Sequence, residues 1–167
     1  MASDVTLDRL RLELKGAGGG LPAEVTKRLE LETPWVVWEQ LVKGPGGKRE
    51  YKDLLKPTYI IRTMYDFWVC WANLPQPSEL MENRKICREG DDGEPAPRVI
   101  DSLMLFREGI RPEWEDPENE GGGHLEYALS TSSVSSYAMD HIWNNVVLSM
   151  VSGELGGEKN LVTGRTC

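Results

Sequence analysis

The 167 residues suffice for one domain with a buried core, and 40% hydrophobic with 28% charged residues is ordinary for a globular chain. A formal net charge of −8 excludes a protein that grips a long polynucleotide backbone, which needs a basic stripe. Any nucleic-acid contact must then be local, at a base or a chain end.

No apolar run approaches the roughly 18 residues needed to cross a bilayer. The charged start MASDVTLDRLRLELKG is not a signal peptide. Cys70, Cys87 and Cys167 form neither an even disulfide framework nor a zinc pattern. These features imply reduced thiols in a cytosolic or nuclear compartment, with a cytoplasmic location and no metal or cofactor as the expectation. The compositional oddity is six tryptophans against two phenylalanines.

Residues 1–31, interrupted by GAGGGLP at 16–22, read as a flexible N-terminal tail; the domain then occupies 32–167. TPWVVWEQLV at 33–42 is rich in strand formers and is bounded by Pro34 and a GPGG turn signal at 44–47. EYKDLL at 50–55 is expected to be the next strand. From Thr63, a suitable N-cap, the period changes: Met64, Phe67, Trp68 and Trp71 mark one face of a short helix, which NLPQP at 73–77 stops. MENRKICREGDDGEPAPR at 81–98 has almost nothing to bury and reads as an inserted, mobile loop.

IDSLMLFR at 100–107 reads as a buried strand and HLEYALS at 124–130 as another, joined by the long polar turn EGIRPEWEDPENEGGG. A second helix spans about Ser136 to Ser152, with Met139, Trp143, Val146 and Met150 as its buried stripe and Gly153 as its stop. KNLVTGRTC suggests one final strand. The class these elements imply is α+β, an antiparallel sheet with helices on one face.

Trp114 is the residue that composition alone would misplace. A tryptophan usually belongs to a core, and Trp35, Trp38, Trp71 and Trp143 read that way. Trp114 instead stands among Glu108, Glu113, Glu115, Asp116, Glu118 and Glu120, with no apolar neighbour after Ile110. The flanking prolines and glycines exclude a regular helix or central strand. An aromatic face on a loop beside a carboxylate can stack on a flat cation and accept hydrogen bonds from its edge. A glycosidase pair among Glu113, Glu115 and Asp116 is the catalytic alternative. It is disfavoured because all three share one acidic, flexible loop, more typical of a solvated turn; a nucleotide-using enzyme is disfavoured separately by the lack of a phosphate-binding glycine loop. An aromatic cage for sugars or methylated lysine is a third class.

LMLFREGIRPEWEDPENEGG, MYDFWVCWANLP, WVVW at 35–38 and HIWNNVVLSMVSGE together resemble, in this order, the cap-binding eukaryotic translation initiation factor 4E family. The resemblance covers about residues 33–165. It implies a curved antiparallel sheet with helices across its convex back and a non-enzymatic domain. It implies that Trp114 stacks on the 7-methylguanosine of an mRNA cap and that Glu115 accepts hydrogen bonds from the base's N1–H and amino group. Tyr51, seventeen residues before Trp68, falls where the family has its other stacking aromatic, with Tyr59 as the rival.

Arg165 would be the counterpart of a phosphate-contacting cation. Trp68 would mark the convex site for partners carrying a Tyr-x-x-x-x-Leu motif, a 4G-like scaffold among them, on a monomeric domain. The departures are His124 where many members have arginine, and Asn144 and Asn145 in place of leucine and glutamate. The family also continues beyond the position of Cys167, through a basic loop and a third cap-contacting tryptophan. Tyrosine in the sandwich, the inserted loop and the shorter C-terminal part resemble divergent kinetoplastid paralogues, whose caps are heavily methylated. A same-family repressor or adaptor is the alternative role.

Overall fold

A computed structural model describes residues 29–42, 50–82, 87–88, 98–126, 128–129, 132–155 and 162–166. The expected tail, apart from Leu29 to Leu31, lies outside these residues, as do 83–86 and 89–97 of the expected loop.

Strand β1, Glu30–Leu41, begins two residues before the expected domain boundary. It pairs antiparallel with β2, Leu55–Thr63, on one side and with β4, Arg98–Arg107, on the other. A two-residue strand β3, Cys87–Arg88, lies within the expected insertion and pairs with the start of β4. Strand β5, Gly164–Thr166, pairs with the end of β4, as the final-strand expectation requires. The sheet therefore runs β2-β1-β4-β3, with β5 also against β4.

The helices are α1, Met64–Asn73, α2, Pro77–Glu82, and α3, Ser136–Val151. Helix α1 starts where Thr63 caps it. The Thr63 hydroxyl accepts from Asp66 N at 3.1 Å, and the Asp66 carboxylate accepts from Thr63 N at 2.9 Å. That reciprocal box satisfies two otherwise orphaned amides. Ser135 caps α3 through Ala138 N. Past its last turn, Gly153 N–H closes on the Met150 carbonyl at 3.1 Å. Pro77, expected only to stop α1, instead opens α2, so Met81 and Glu82 belong to a helix and not to the loop. Proline is well suited to a helix's first turn, where its missing N–H costs nothing.

Trp35, Val37, Leu41, Ile61, Leu103 and Leu105 line the sheet face that packs against Phe67, Cys70, Trp71, Leu74, Trp143, Val147 and Met150. The buried stripe of α1 is Phe67–Cys70–Trp71–Leu74, one position round from the expected one, which leaves Trp68 half-buried on its flank. Phe67 is fully buried and stacks on Trp71 at 5.3 Å, and Trp71 stacks on Trp143 at 6.3 Å. Burying one such ring contributes about 1.5–3 kcal/mol, so this tryptophan ladder is a main source of cohesion between helices and sheet.

Trp35 and Trp38 part company. A spacing of three along a strand sends two side chains to opposite faces. Trp35 enters the helix-side core, whereas half-buried Trp38 is the cross-strand partner of Met104 on the other face. Val37 and Leu105, the adjacent register pair, confirm the alternation, since both lie in the helix-side core.

Two expected strands do not form among the described residues. Tyr51–Leu54 forms a 3₁₀ turn, with the Asp53 carboxylate accepting from Glu50 N at 3.1 Å and Asp53 N donating to the Glu50 carbonyl at 3.1 Å. Asp competes locally for backbone donors and thereby delays the strand to Leu55. The described residues of 124–130 form no strand, and Leu125 is 99% exposed. Alternating apolar residues need a neighbouring strand to bond to, and the described residues offer this stretch none.

Candidate functional site

The face of the sheet away from the helices carries the candidate site. Met104 is buried there, and the Tyr51 hydroxyl donates to its sulfur at 3.9 Å. The 3₁₀ turn is thus laid against the middle of β4, with the Tyr51 ring 49% exposed. Burial first, and then the negative charge of Glu113, raise the Tyr51 phenol above its ordinary pKa, so the ring stays neutral throughout the neutral range. Glu113 is also among the charges that raise the neighbouring Lys52, after the hydrogen bond and charge of Glu50.

The loop that carries Trp114 is braced, which corrects the expectation of a flexible turn. Arg111 N donates to Asp116 Oδ2 at 2.7 Å, and Glu118 N to Asp116 Oδ1 at 3.0 Å. Asn119 Nδ2 donates to the carbonyls of Arg111 at 2.9 Å and Glu113 at 2.8 Å. The Arg111 guanidinium meets Glu113 at 2.6 Å. At the loop's start, Arg62 forks onto Glu108, and Glu108 N donates to the Pro34 carbonyl at 2.9 Å. These bonds consume backbone groups that a solvated turn would leave to water. They are local and polar, so no hydrophobic pattern announces them.

On this frame Trp114 is 62% exposed, the most exposed of the aromatic residues in the described chain. Glu115 beside it is exposed and engages no partner among the described residues. The chain then turns back: Gly122 N donates to the Asn119 carbonyl at 3.1 Å, and Gly121 adopts φ 78°, open to glycine but not to most residues. The return brings His124 to Trp114, ring centroids 5.5 Å apart at 61°. His124 stood out in the sequence only as a departure from arginine, and nothing there disclosed the ring contact. Met104 was likewise an unremarked strand residue.

Arg165 lies in β5, its backbone in register with Leu105, while Thr166 is in register with Met104. Gly164 pairs with Phe106, whose ring would sit 2.3 Å from any Cβ placed there. Only glycine allows β5 that close to β4. Trp68 is on the other side of the molecule, half-buried against the core and edge-on to Phe67 at 4.9 Å. Asn144, which the resemblance puts in place of a leucine, is buried: it accepts from Trp71 Nε1 at 2.9 Å and donates to Gln76 Oε1 at 2.9 Å. Asn145 next to it is exposed. The described residues contain no group of acids, histidines or cysteines able to hold a metal ion, and no helix long and apolar enough to cross a membrane.

An antiparallel sheet backed by helices on one face, with an exposed tryptophan–glutamate pair on the loop that follows β4, defines an α+β domain with a candidate ligand site. The model of the family described as Eukaryotic initiation factor 4E matches residues 30–167, and the chain belongs to that family. Eukaryotic translation initiation factor 4E of Candida albicans is 28% identical over 142 residues, covering 84% of this chain and 59% of that one. The chain thus spans well under two thirds of that curated relative. Its fold is similar to Ascaris suum eIF4E-3, solved in complex with an m2,2,7G cap (TM-score 0.63, 21% identity, 83% of this chain and 66% of that chain). It is also similar to C. elegans eIF4E-3, solved with the 4E-binding protein Mextli (TM-score 0.57, 21% identity, 83% and 67%).

Proposed function

We propose that this domain binds the 7-methylguanosine cap of mRNA for translation initiation, in the cytoplasm and without catalysing a reaction. The carrying observation is a 62% exposed Trp114 followed by an exposed Glu115 on a loop braced by Asp116 and Asn119. Holding a bare indole in water has no folding benefit, so a ligand is the natural occupant of its face.

N7 methylation makes guanine a cation, and two electron-rich rings add charge attraction to stacking. A desolvated cation–π contact contributes about 2 kcal/mol, and stacking a base on an aromatic about 1–3 kcal/mol. Trp114 takes one face of the base and Tyr51 the other. The Glu115 carboxylate accepts from the N1–H and amino group, a pair of donors that adenine lacks. Unmethylated guanine keeps the Glu115 bonds and loses the cationic contribution. Arg165 is the cation assigned to the phosphate chain.

Trp68 would contact a protein partner, a 4G-like scaffold or another protein with a Tyr-x-x-x-x-Leu motif. Because α1 lies on the helix side and Tyr51 on the other, cap and partner can be held together. The exposed Asn145, where the family usually has glutamate, favours a second reading, a repressor or specialised adaptor. Retention on 7-methyl-GTP resin tests the main proposal, with elution by cap analogue, by its m2,2,7G form and by GTP compared. Elution by GTP as readily as by the methylated forms would reject methyl-selective binding. Which proteins co-elute, a scaffold subunit or none, separates initiation from repression.

A further inference from the structure

We infer that His124 is a positioning residue for Trp114, holding the indole in the orientation that receives a flat cationic base. The inference rests on the cap-binding reading and goes beyond it. An exposed tryptophan on a turn samples several rotamers, and fixing one on binding costs affinity. Trp114 has one ring neighbour among the described residues, the His124 imidazole at 5.5 Å and 61°. The steep interplanar angle supports the indole from one side, and its 62% exposure leaves the rest of the ring open. The chain is shaped to deliver this contact. Asn119 pins the loop's two limbs through Arg111 O and Glu113 O, and Gly121 at φ 78° reverses the backbone so that His124 returns over Trp114. An edge-on pair of aromatic rings is an attractive arrangement in its own right.

The competing role is direct contact with the cap phosphates, which an imidazolium could make from the same position. The two roles differ in which ligand they affect. Wild type, His124→Ala, His124→Phe and His124→Arg are titrated with 7-methylguanosine, which has no phosphate, and with 7-methyl-GTP. Near-UV circular dichroism of the unliganded proteins reports the order of the indole, with Trp114→Ala as the reference for its signal. His124→Ala is expected to weaken both ligands equally, by about threefold to tenfold, and to diminish the Trp114 dichroic signal. His124→Phe restores both by returning a ring. An unchanged nucleoside affinity in His124→Ala overturns the inference, as does a loss confined to the triphosphate and rescued by arginine. If the wild type binds neither ligand, the cap-binding reading fails and takes the inference with it. Binding by the wild type with a flat His124 series removes the inference alone. Thermal melts confirm that each variant folds, as the exposure of His124 leads one to expect.

Discussion

The Tyr51 hydroxyl lies 3.9 Å from the Met104 sulfur, on the face of β4 opposite the one that Leu103 and Leu105 turn to the helices. This single contact seats Tyr51 over the ligand face. Tyr59, the rival aromatic, is partly buried against the helix-side core instead. Tyr51→Ala is therefore expected to lose about 1–3 kcal/mol of cap affinity. Tyr51→Phe loses little, since the hydroxyl meets only a thioether, and Tyr51→Trp holds or gains up to about 1 kcal/mol by presenting a larger ring. Tyr59→Ala lowers the melting temperature and leaves affinity alone. Fluorescence titration with 7-methyl-GTP across all four variants decides; a flat Tyr51 series beside a damaged Tyr59→Ala reverses the assignment.

Trp114→Ala and Glu115→Ala are expected to reduce cap affinity by about 1–3 kcal/mol each, from stacking and charge-assisted hydrogen bonding. Neither residue is buried, so melting temperatures stay near wild type. Glu115→Gln offers a sharper reading, because it keeps the shape and removes the charge. Wild-type affinity in both alanine variants would falsify the sandwich.

Much of this was legible in the sequence, and the gaps have a common cause. Thr63 as a cap, the limits of α1 and α3, the burial of Trp35, Trp71 and Trp143 and the exposure of Trp114 all follow from local chemistry and hydrophobic period, whereas Trp38, expected in the core, is half-buried on the opposite face. The 3₁₀ turn at Tyr51 was missed because one carboxylate, Asp53, diverts backbone donors that a strand would use. The described residues of 124–130 form no strand for want of a neighbour among the described residues, which no local pattern reveals. The bracing of the Trp114 loop depends on Asp116 and Asn119 reaching residues two to eight positions away. His124 meets Trp114 only because of that bracing and the Gly121 reversal. Polar geometry of this kind leaves no periodicity behind.

Trp68 is edge-on to Phe67 and half-buried, so Trp68→Ala is expected to cost about 1–2 kcal/mol of stability through lost packing and ring contact. Cap-resin retention persists, since Tyr51 and Met104 lie across the sheet. Capture by an immobilised Tyr-x-x-x-x-Leu peptide is abolished. A variant that still folds yet loses cap retention and keeps the peptide would invert the two faces.

The buried chain Trp71 Nε1–Asn144–Gln76 predicts an unusual response to a residue the family itself favours. Asn144→Leu restores the usual leucine but leaves the Trp71 indole N–H and the Gln76 carbonyl oxygen without their partner. Leaving such buried groups unsatisfied costs about 1–3 kcal/mol, and the added apolar burial offsets only part of it. Chemical denaturation is expected to show a net loss of stability at unchanged slope.

The phosphate chain is expected to add little affinity. Arg165 is the basic residue assigned to it, and the chain's formal net charge is −8. Its backbone is in register with Leu105, a residue of the helix-side core, while Thr166 is in register with Met104 beneath Tyr51. Comparing 7-methyl-GMP with 7-methyl-GTP at two salt concentrations measures the contribution. The expected gain for the triphosphate is below about tenfold with a shallow salt slope, since few phosphates are neutralised. Arg165→Ala then removes most of whatever gain exists. A larger gain that survives Arg165→Ala would assign the phosphates to other cations, Lys52 beside Tyr51 being the first to substitute.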